Sequence, residues 1–164
     1  MGRKVAKGKA NQYISARDKF GWSREVASEK IGISASRIEQ IENEKITPSA
    51  YDVATMAKGY NCPELCHQYC ADECEIGREC VPKVEIKNLS QIVLEMIASL
   101  NSMENKKNRL IEITVDGKIG DDEIEDFMII KEELERISIA VEALKLWVDK
   151  TAAEGNIDLE SYKK

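Results

Sequence analysis

The sequence lacks any long apolar run: no uninterrupted hydrophobic stretch approaches the ~18 residues that a membrane-spanning helix needs. The N-terminal segment MGRKVAKGKANQ is basic and has no apolar centre, so a secretory signal is not expected either. Strand signals are also nearly missing, because IEITVDG at 111–117 is the one short β-like run. These absences predict an all-α, cytoplasmic protein without a membrane partner.

Groups that carry out catalysis are scarce as well. The 164 residues include a single histidine, His67, and no phosphate-binding loop, C-x-x-C motif or Ser/His/Asp set. The five cysteines are an odd number, and with no secretory signal they are expected to stay reduced. We therefore expect no enzymatic activity, no cofactor and no small-molecule ligand.

Charge is distributed unevenly along the chain. Residues 1–60 contain eleven Lys and Arg against seven Asp and Glu, whereas residues 61–164 contain thirteen against twenty-three. Four of the first nine residues are cationic, and Arg3 and Lys4 are the ones that we assign to DNA backbone contact. A basic arm on a basic first third, followed by an acidic remainder, indicates a polyanionic partner for the first part only.

Residues 22–49, WSREVASEKIGISASRIEQIENEKITPS, describe two short helices around a glycine turn. Ser23 is a favoured N-cap for the first helix, and Gly32 is a favoured residue just after its end. Ser34 caps the second helix, over residues 35–43, whose isoleucines point inward and whose polar residues point outward. This arrangement predicts a helix-turn-helix motif.

The segments KIGIS, IEQIENEK and TPS have the order and spacing of the Cro and repressor type of helix-turn-helix, the XRE family, which the chain resembles over about residues 10–65. The resemblance implies a five-helix domain whose second motif helix enters the major groove of DNA. The chain departs from the family pattern where Arg24 replaces a glutamine, Ala27-Ser28 replaces Leu-Ala and Glu44 replaces a glycine.

The resemblance also implies roles for individual side chains. One face of the second motif helix would contact base edges, and other groups would hold the DNA backbone. A third set would form a structural ion pair between the first helix and the recognition helix. The base-contacting residues are Ala35, Ser36, Glu39 and Gln40; the backbone-contacting residues are Arg24, Arg37, Asn43 and Lys45; the ion pair is Arg17 with Glu42.

Two long amphipathic helices are predicted over 86–115 and 121–153, joined by a short polar turn as an antiparallel hairpin. Further apolar residues lie beside each heptad seam, so the apolar stripe is too wide for two helices. We expect a homodimer through residues 86–154, as a four-helix bundle. The seam residues are Leu89, Val93, Met96, Leu100, Met103 and Leu110, then Phe127, Ile130, Leu134, Ile137, Val141, Leu144 and Val148.

Cysteines recur at intervals of four from Cys62 to Cys74, and Cys80 follows. If residues 63–74 form one helix, three thiols share a stripe but span about 12 Å, which is too far for one ion. The usual zinc and iron–sulfur spacings are missing. We expect the thiols to pack as small apolar groups. The alternatives are a redox pair or a metal site on Cys66, Cys70, Cys74 and Cys80.

The predicted function is sequence-specific binding of double-stranded DNA by a homodimeric transcription regulator, with repression as its expected effect. The alternative is an antitoxin or adaptor type of interaction protein, in which the acidic hairpin binds another protein. The predicted domains are a basic arm at 1–9, a helix-turn-helix domain at 10–65, a cysteine-rich connector at 66–85, a helical hairpin at 86–154 and a tail at 155–164.

Overall fold

The computed structural model describes residues 11–158 and residue 161, and these contain eight helices and no strand. The all-α prediction is confirmed. The basic-arm residues Arg3 and Lys4 lie outside the described residues. The helices are α1 (Gln12–Asp18), α2 (Arg24–Ile31), α3 (Ala35–Glu42), α4 (Ala50–Gly59), α5 (Glu64–Asp72), α6 (Glu75–Cys80), α7 (Leu89–Thr114) and α8 (Ile124–Ala153).

The chain forms two compact units. Among the described residues, the first unit comprises those up to Val81 and those from Lys150 onward, and the second unit is Pro82–Asp149. The boundary that the sequence suggested after residue 65 lies inside α5. Across the described residues, no helix is both long and apolar enough to cross a membrane.

Five short helices, α1 to α5, enclose the core of the first unit. Ser23, Ser34 and Ser49 cap α2, α3 and α4, and each hydroxyl accepts a hydrogen bond from a backbone N–H of the first turn. Gly32 ends α2 with a φ of 76°, a left-handed conformation that costs glycine little. The largest fully buried side chains of this core are Tyr60, Ile38, Ile41, Met56, Leu65 and Val53.

Close packing of α2 on α4 depends on Gly59. A Cβ atom at Gly59 would lie 2.2 Å from Cγ2 of Ile31, so the two helices approach at a point where no side chain fits. Ala27, on the same helix as Ile31, is fully buried. The small residue that replaces the family's leucine at position 27 therefore belongs to a tightly packed core.

Residues 63–74 do not form one helix, so the condition for a continuous stripe of thiols is not met. Helix α5 ends at Asp72, and Cys74 then caps α6, with its Sγ accepting from the Gly77 N–H at 3.5 Å. A Cβ atom at Gly77 would lie 2.0 Å from the Cys70 carbonyl oxygen. The two helices fold against each other because Gly77 allows backbone to meet backbone.

The thiols do not share one environment. Cys62 is buried, Cys70 and Cys74 are half-buried, and Cys66 and Cys80 are exposed. The expected packing stripe of Cys66, Cys70 and Cys74 is therefore wrong for Cys66, and Cys80, which lies outside that stripe, is not packed as a small apolar group either. Burial raises the pKa of the Cys62 thiol to about 11. Cys62 is therefore a neutral thiol at pH 7. Among the described residues, no three Cys, His, Asp or Glu side chains converge as a metal site would require.

The second unit is the predicted antiparallel hairpin of α7 and α8. Lys106 Nζ lies 3.1 Å from Glu133 Oε1, and Arg109 Nε lies 2.7 Å from Asp126 Oδ2, so the helices are tied together at two levels. Ile92, Ile113 and Ile130 are buried, with Ala140 and Glu133. This inner face differs from the predicted seam, since it includes a lysine, a glutamate and an alanine.

Candidate nucleic-acid interface

Helix α3 presents a polar face because its apolar residues fix its rotation. Ile38 and Ile41 are buried, so positions 36 and 40, on the other side of the helix, face solvent. Ala35 and Glu39 are half-buried at the edge of this face. The side chains of Ser36 and Gln40 have no hydrogen-bond partner among the described residues, which leaves both available to an incoming ligand.

A small polar cluster lies at the end of the same face. Asn43 Nδ2 and Lys45 Nζ each lie 3.4 Å from Glu39 Oε1. All three side chains are substantially open to solvent, so these contacts are weak and exchangeable. Helix α3 ends at Glu42, and Asn43 is its C-cap, one residue earlier than the predicted end.

Arg37 is bound by an acid of the next helix. Its Nε and Nη2 donate to the two carboxylate oxygens of Asp52, at 2.7 and 2.6 Å. Asp52 also accepts from the backbone N–H and hydroxyl of Ser49, completing a capping box for α4. The bond from Arg37 holds the pKa of Asp52 well below its usual range. The predicted backbone contact Arg37 therefore also fixes α3 against α4.

Glu42 lies at the centre of the domain with its side chain fully buried. Arg17 Nε donates to Glu42 Oε1 at 2.6 Å, which brings together the two residues assigned to a structural ion pair. Arg17 also donates to the Trp22 carbonyl at 2.5 Å. The other oxygen of Glu42 accepts from Arg24 Nε at 2.7 Å. One buried carboxylate thus joins α1, α2 and α3.

Glu44 occupies the position where the family usually has glycine. Its φ is 56°, which is the left-handed region that a residue with a Cβ adopts only at a cost. The turn is closed by the Lys45 N–H, which donates to the Gln40 carbonyl at 2.8 Å. The backbone of this turn follows the glycine conformation although the residue is an acid.

The sequence analysis did not predict two hydrogen-bonded contacts of acidic side chains, those of Asp52 and Glu73. Asp52 is buried beside Arg37, and the pattern Ser49-x-x-Asp52 could have indicated its capping role. Glu73, at the break between α5 and α6, accepts from the Tyr13 hydroxyl at 3.1 Å and from Gln12 at 3.3 Å. No local pattern predicts this second link, because its partners are about sixty positions apart in the chain.

A comparison with protein families agrees with this geometry. Residues 14–65, about a third of the chain, match the family described as Helix-turn-helix. The first unit therefore contains a helix-turn-helix DNA-binding domain, and the match extends from within α1 to the start of α5. No curated protein and no solved structure matched the chain. The domain is of the Cro and repressor type, the XRE family, and the protein is a DNA-binding transcription regulator.

Proposed function

We propose that the protein is a homodimeric repressor that binds a specific double-stranded DNA site in the cytoplasm with α3 in the major groove. The observation that supports this best is the exposed face of α3. Ser36 and Gln40 project from a helix whose orientation is fixed by the buried Ile38 and Ile41. Unpaired polar side chains on a helix held in a fixed orientation suit recognition of base edges. No catalytic role is proposed.

The proposed contacts divide between bases and backbone. Gln40 would make two bonds to adenine, Glu39 would accept from the amino group of cytosine, and Ala35 would contact a thymine methyl group, with Ser36 beside them. Arg24, Arg37, Asn43 and Lys45 would contact phosphates and set the register. Asn43 and Lys45 both contact the Glu39 carboxylate in the single chain. When DNA binds at this edge of α3, these three side chains would exchange their mutual contacts for contacts to DNA.

The homodimer is supported by an exposed apolar face on the hairpin, here called the seam face. Five of the predicted seam residues are exposed in the single chain, among them Leu100 at 50% and Leu134 at 46%. Most of the other seam residues are half-buried, as expected at the edge of this face. An apolar face of this length, left uncovered on one chain, suits an isologous contact with a second copy. The exposed five are Leu89, Val93, Leu100, Leu134 and Val141.

The opposite side of the hairpin is different in character. A cavity of about 380 Å³ lies there between α7 and α8, and its lining includes Glu95, Glu133 and Arg136. Lys106 and Arg136 both bond Glu133, at 3.1 and 3.0 Å. Charged groups are depleted from the centre of stable protein interfaces. The proposed dimer therefore uses the seam face rather than this charged side.

The first prediction separates base contacts from backbone contacts. DNA selected by the purified protein from a random pool provides the specific site, and scrambled DNA of equal length provides the reference. Gln40→Ala should weaken binding to the specific site by about 1–3 kcal/mol and relax the preference at one base pair. Lys45→Ala should weaken binding to both DNAs alike. Equal losses on both DNAs for Gln40→Ala would show that Gln40 contacts no base.

The second prediction concerns the basic arm, residues 1–9. Its deletion removes four cationic side chains and should therefore reduce the dependence of log K on log salt, because fewer counterions are released. Titrations at four salt concentrations give this slope directly. An unchanged slope after the deletion would mean that the arm makes no phosphate contact.

A hairpin that is monomeric by itself, in a chain that retains no selected DNA, would favour the antitoxin or adaptor function instead. In that case the seam face would be the surface available to a different protein. Light scattering on the purified chain, before and after addition of selected DNA, distinguishes the two functions.

A further inference from the structure

We infer that Glu42 is a positioning residue for DNA binding, because its buried carboxylate holds the Arg24 guanidinium in place for a phosphate. The inference rests on the proposed function and adds a physical explanation of how Arg24 would be held for its contact with a DNA phosphate. Arg24 is the first residue of α2, where backbone N–H groups and the helix dipole also favour an anion.

The geometry leaves two of the three guanidinium nitrogens of Arg24 free. Arg24 uses Nε to donate to Glu42 Oε2 at 2.7 Å, and its terminal nitrogens Nη1 and Nη2 have no acceptor among the described residues. Its side chain is 34% exposed, so these two nitrogens can reach a ligand in solvent. The planar guanidinium then presents a fork of N–H donors to solvent, and the Glu42 carboxylate on its other side fixes the direction of this fork.

Glu42 can hold Arg24 without losing its other partner. Oε1 accepts from Arg17 Nε at 2.6 Å, and Oε2 accepts from Arg24 Nε at 2.7 Å and from Arg17 Nη2 at 3.2 Å. Arg17 is only 12% exposed and is fixed further by the Trp22 carbonyl, so the carboxylate itself cannot rotate freely. A rigid anion behind an exposed arginine lowers the entropy that the arginine would lose on binding phosphate.

This arrangement depends on arginine at position 24. A glutamine there could accept or donate a single bond but carries no charge. A lysine carries the charge, but its single nitrogen cannot bond Glu42 through one donor and present a planar pair of donors to a phosphate. Arg24 is therefore expected to act through shape as well as charge.

The test measures affinity for selected DNA by fluorescence anisotropy at several salt concentrations, using full-length variants. In a chain that keeps Arg24, Glu42→Gln should weaken DNA binding about three- to tenfold. In a chain that already carries Arg24→Gln, adding Glu42→Gln should not weaken DNA binding further. Arg24→Lys should weaken binding about three- to tenfold with an unchanged salt slope, whereas Arg24→Gln should also reduce the slope by about one. Circular dichroism establishes the folded fraction of each variant.

Other outcomes would overturn the inference. Tighter binding by Glu42→Gln would mean that the carboxylate competes with phosphate for Arg24. An equal loss in both backgrounds would mean that Glu42 acts through stability alone. If Glu42→Gln does not fold, the affinity of Arg24→Lys for DNA tests the inference instead, because this variant leaves the Arg17–Glu42 pair in place. Wild-type affinity of Arg24→Lys would contradict the inference. A wild-type chain that selects no DNA would instead overturn the proposed function itself, and this inference with it.

Discussion

Leu100→Asp is expected to convert the protein from a dimer to a monomer and to weaken binding to selected DNA by about a hundredfold or more. Leu100 is 50% exposed in the single chain, so an aspartate there stays hydrated in the monomer. In the proposed dimer the same carboxylate would be buried without a partner, which is strongly unfavourable. Two linked half-sites bind far more tightly than one, so the loss of pairing removes the gain in avidity.

The matched control is Asn101→Asp, which adds the same charge at the next position of α7, an exposed residue outside the seam face. It should remain dimeric and bind DNA like the wild type. Light scattering measures the mass of each variant, and anisotropy measures its affinity. If Leu100→Asp stays dimeric with unchanged affinity, the seam face is not where two copies meet.

Asp52→Ala is expected to lower the free energy of unfolding by about 2–4 kcal/mol at pH 7, as measured by urea denaturation. The buried carboxylate both caps α4 and pairs with Arg37, and alanine removes both contacts. The loss is moderated because Arg37, with its side chain 44% exposed, can turn to water. Arg37→Met is the control, since it removes the ion pair but keeps the cap and should cost less.

The same pair predicts a dependence on pH. Arg37 holds the pKa of Asp52 below its usual range, so the folded protein keeps the carboxylate charged where the unfolded chain takes up a proton. The stabilisation is complete above about pH 5 and declines as the pH falls through about 4. The difference in stability between wild type and Asp52→Ala should therefore shrink below about pH 4. A difference that stays constant from pH 3 to 7 would contradict this account.

Local signals predicted the helix-turn-helix well. Capping serines, the turn glycine at position 32 and the isoleucines of α3 act within a few residues of each other, so their effect is visible in the sequence. The ends of α2 were predicted to the residue, and α3 ends one residue earlier than predicted. The hairpin also followed from its apolar spacing, although the hydrophobic period alone did not identify which face meets the partner helix.

The predictions from the sequence were incomplete where contacts between residues far apart in the chain determine the local structure. The cysteine segment forms two helices, and Gly77 approaches the Cys70 backbone where they meet. No periodicity in the sequence indicates an approach of that kind. Likewise, Arg24 was assigned to phosphate from its position alone, because its bond to Glu42 joins residues 18 positions apart. The contacts of side chains that have more than one possible partner are therefore the part of the site that could not be predicted from the sequence.

The first unit is built from segments that are far apart in the chain. Asn61 donates to the carbonyl of Ala153, which lies 92 positions later, and Lys150 lies 3.4 Å from the nearly buried Glu64. During synthesis, the ribosome must therefore add all of α7 and α8 before the start of α5 meets these partners. If the proposed dimer forms, the helices that carry its seam face would be made, and able to pair with a neighbouring nascent chain, before the first unit is complete.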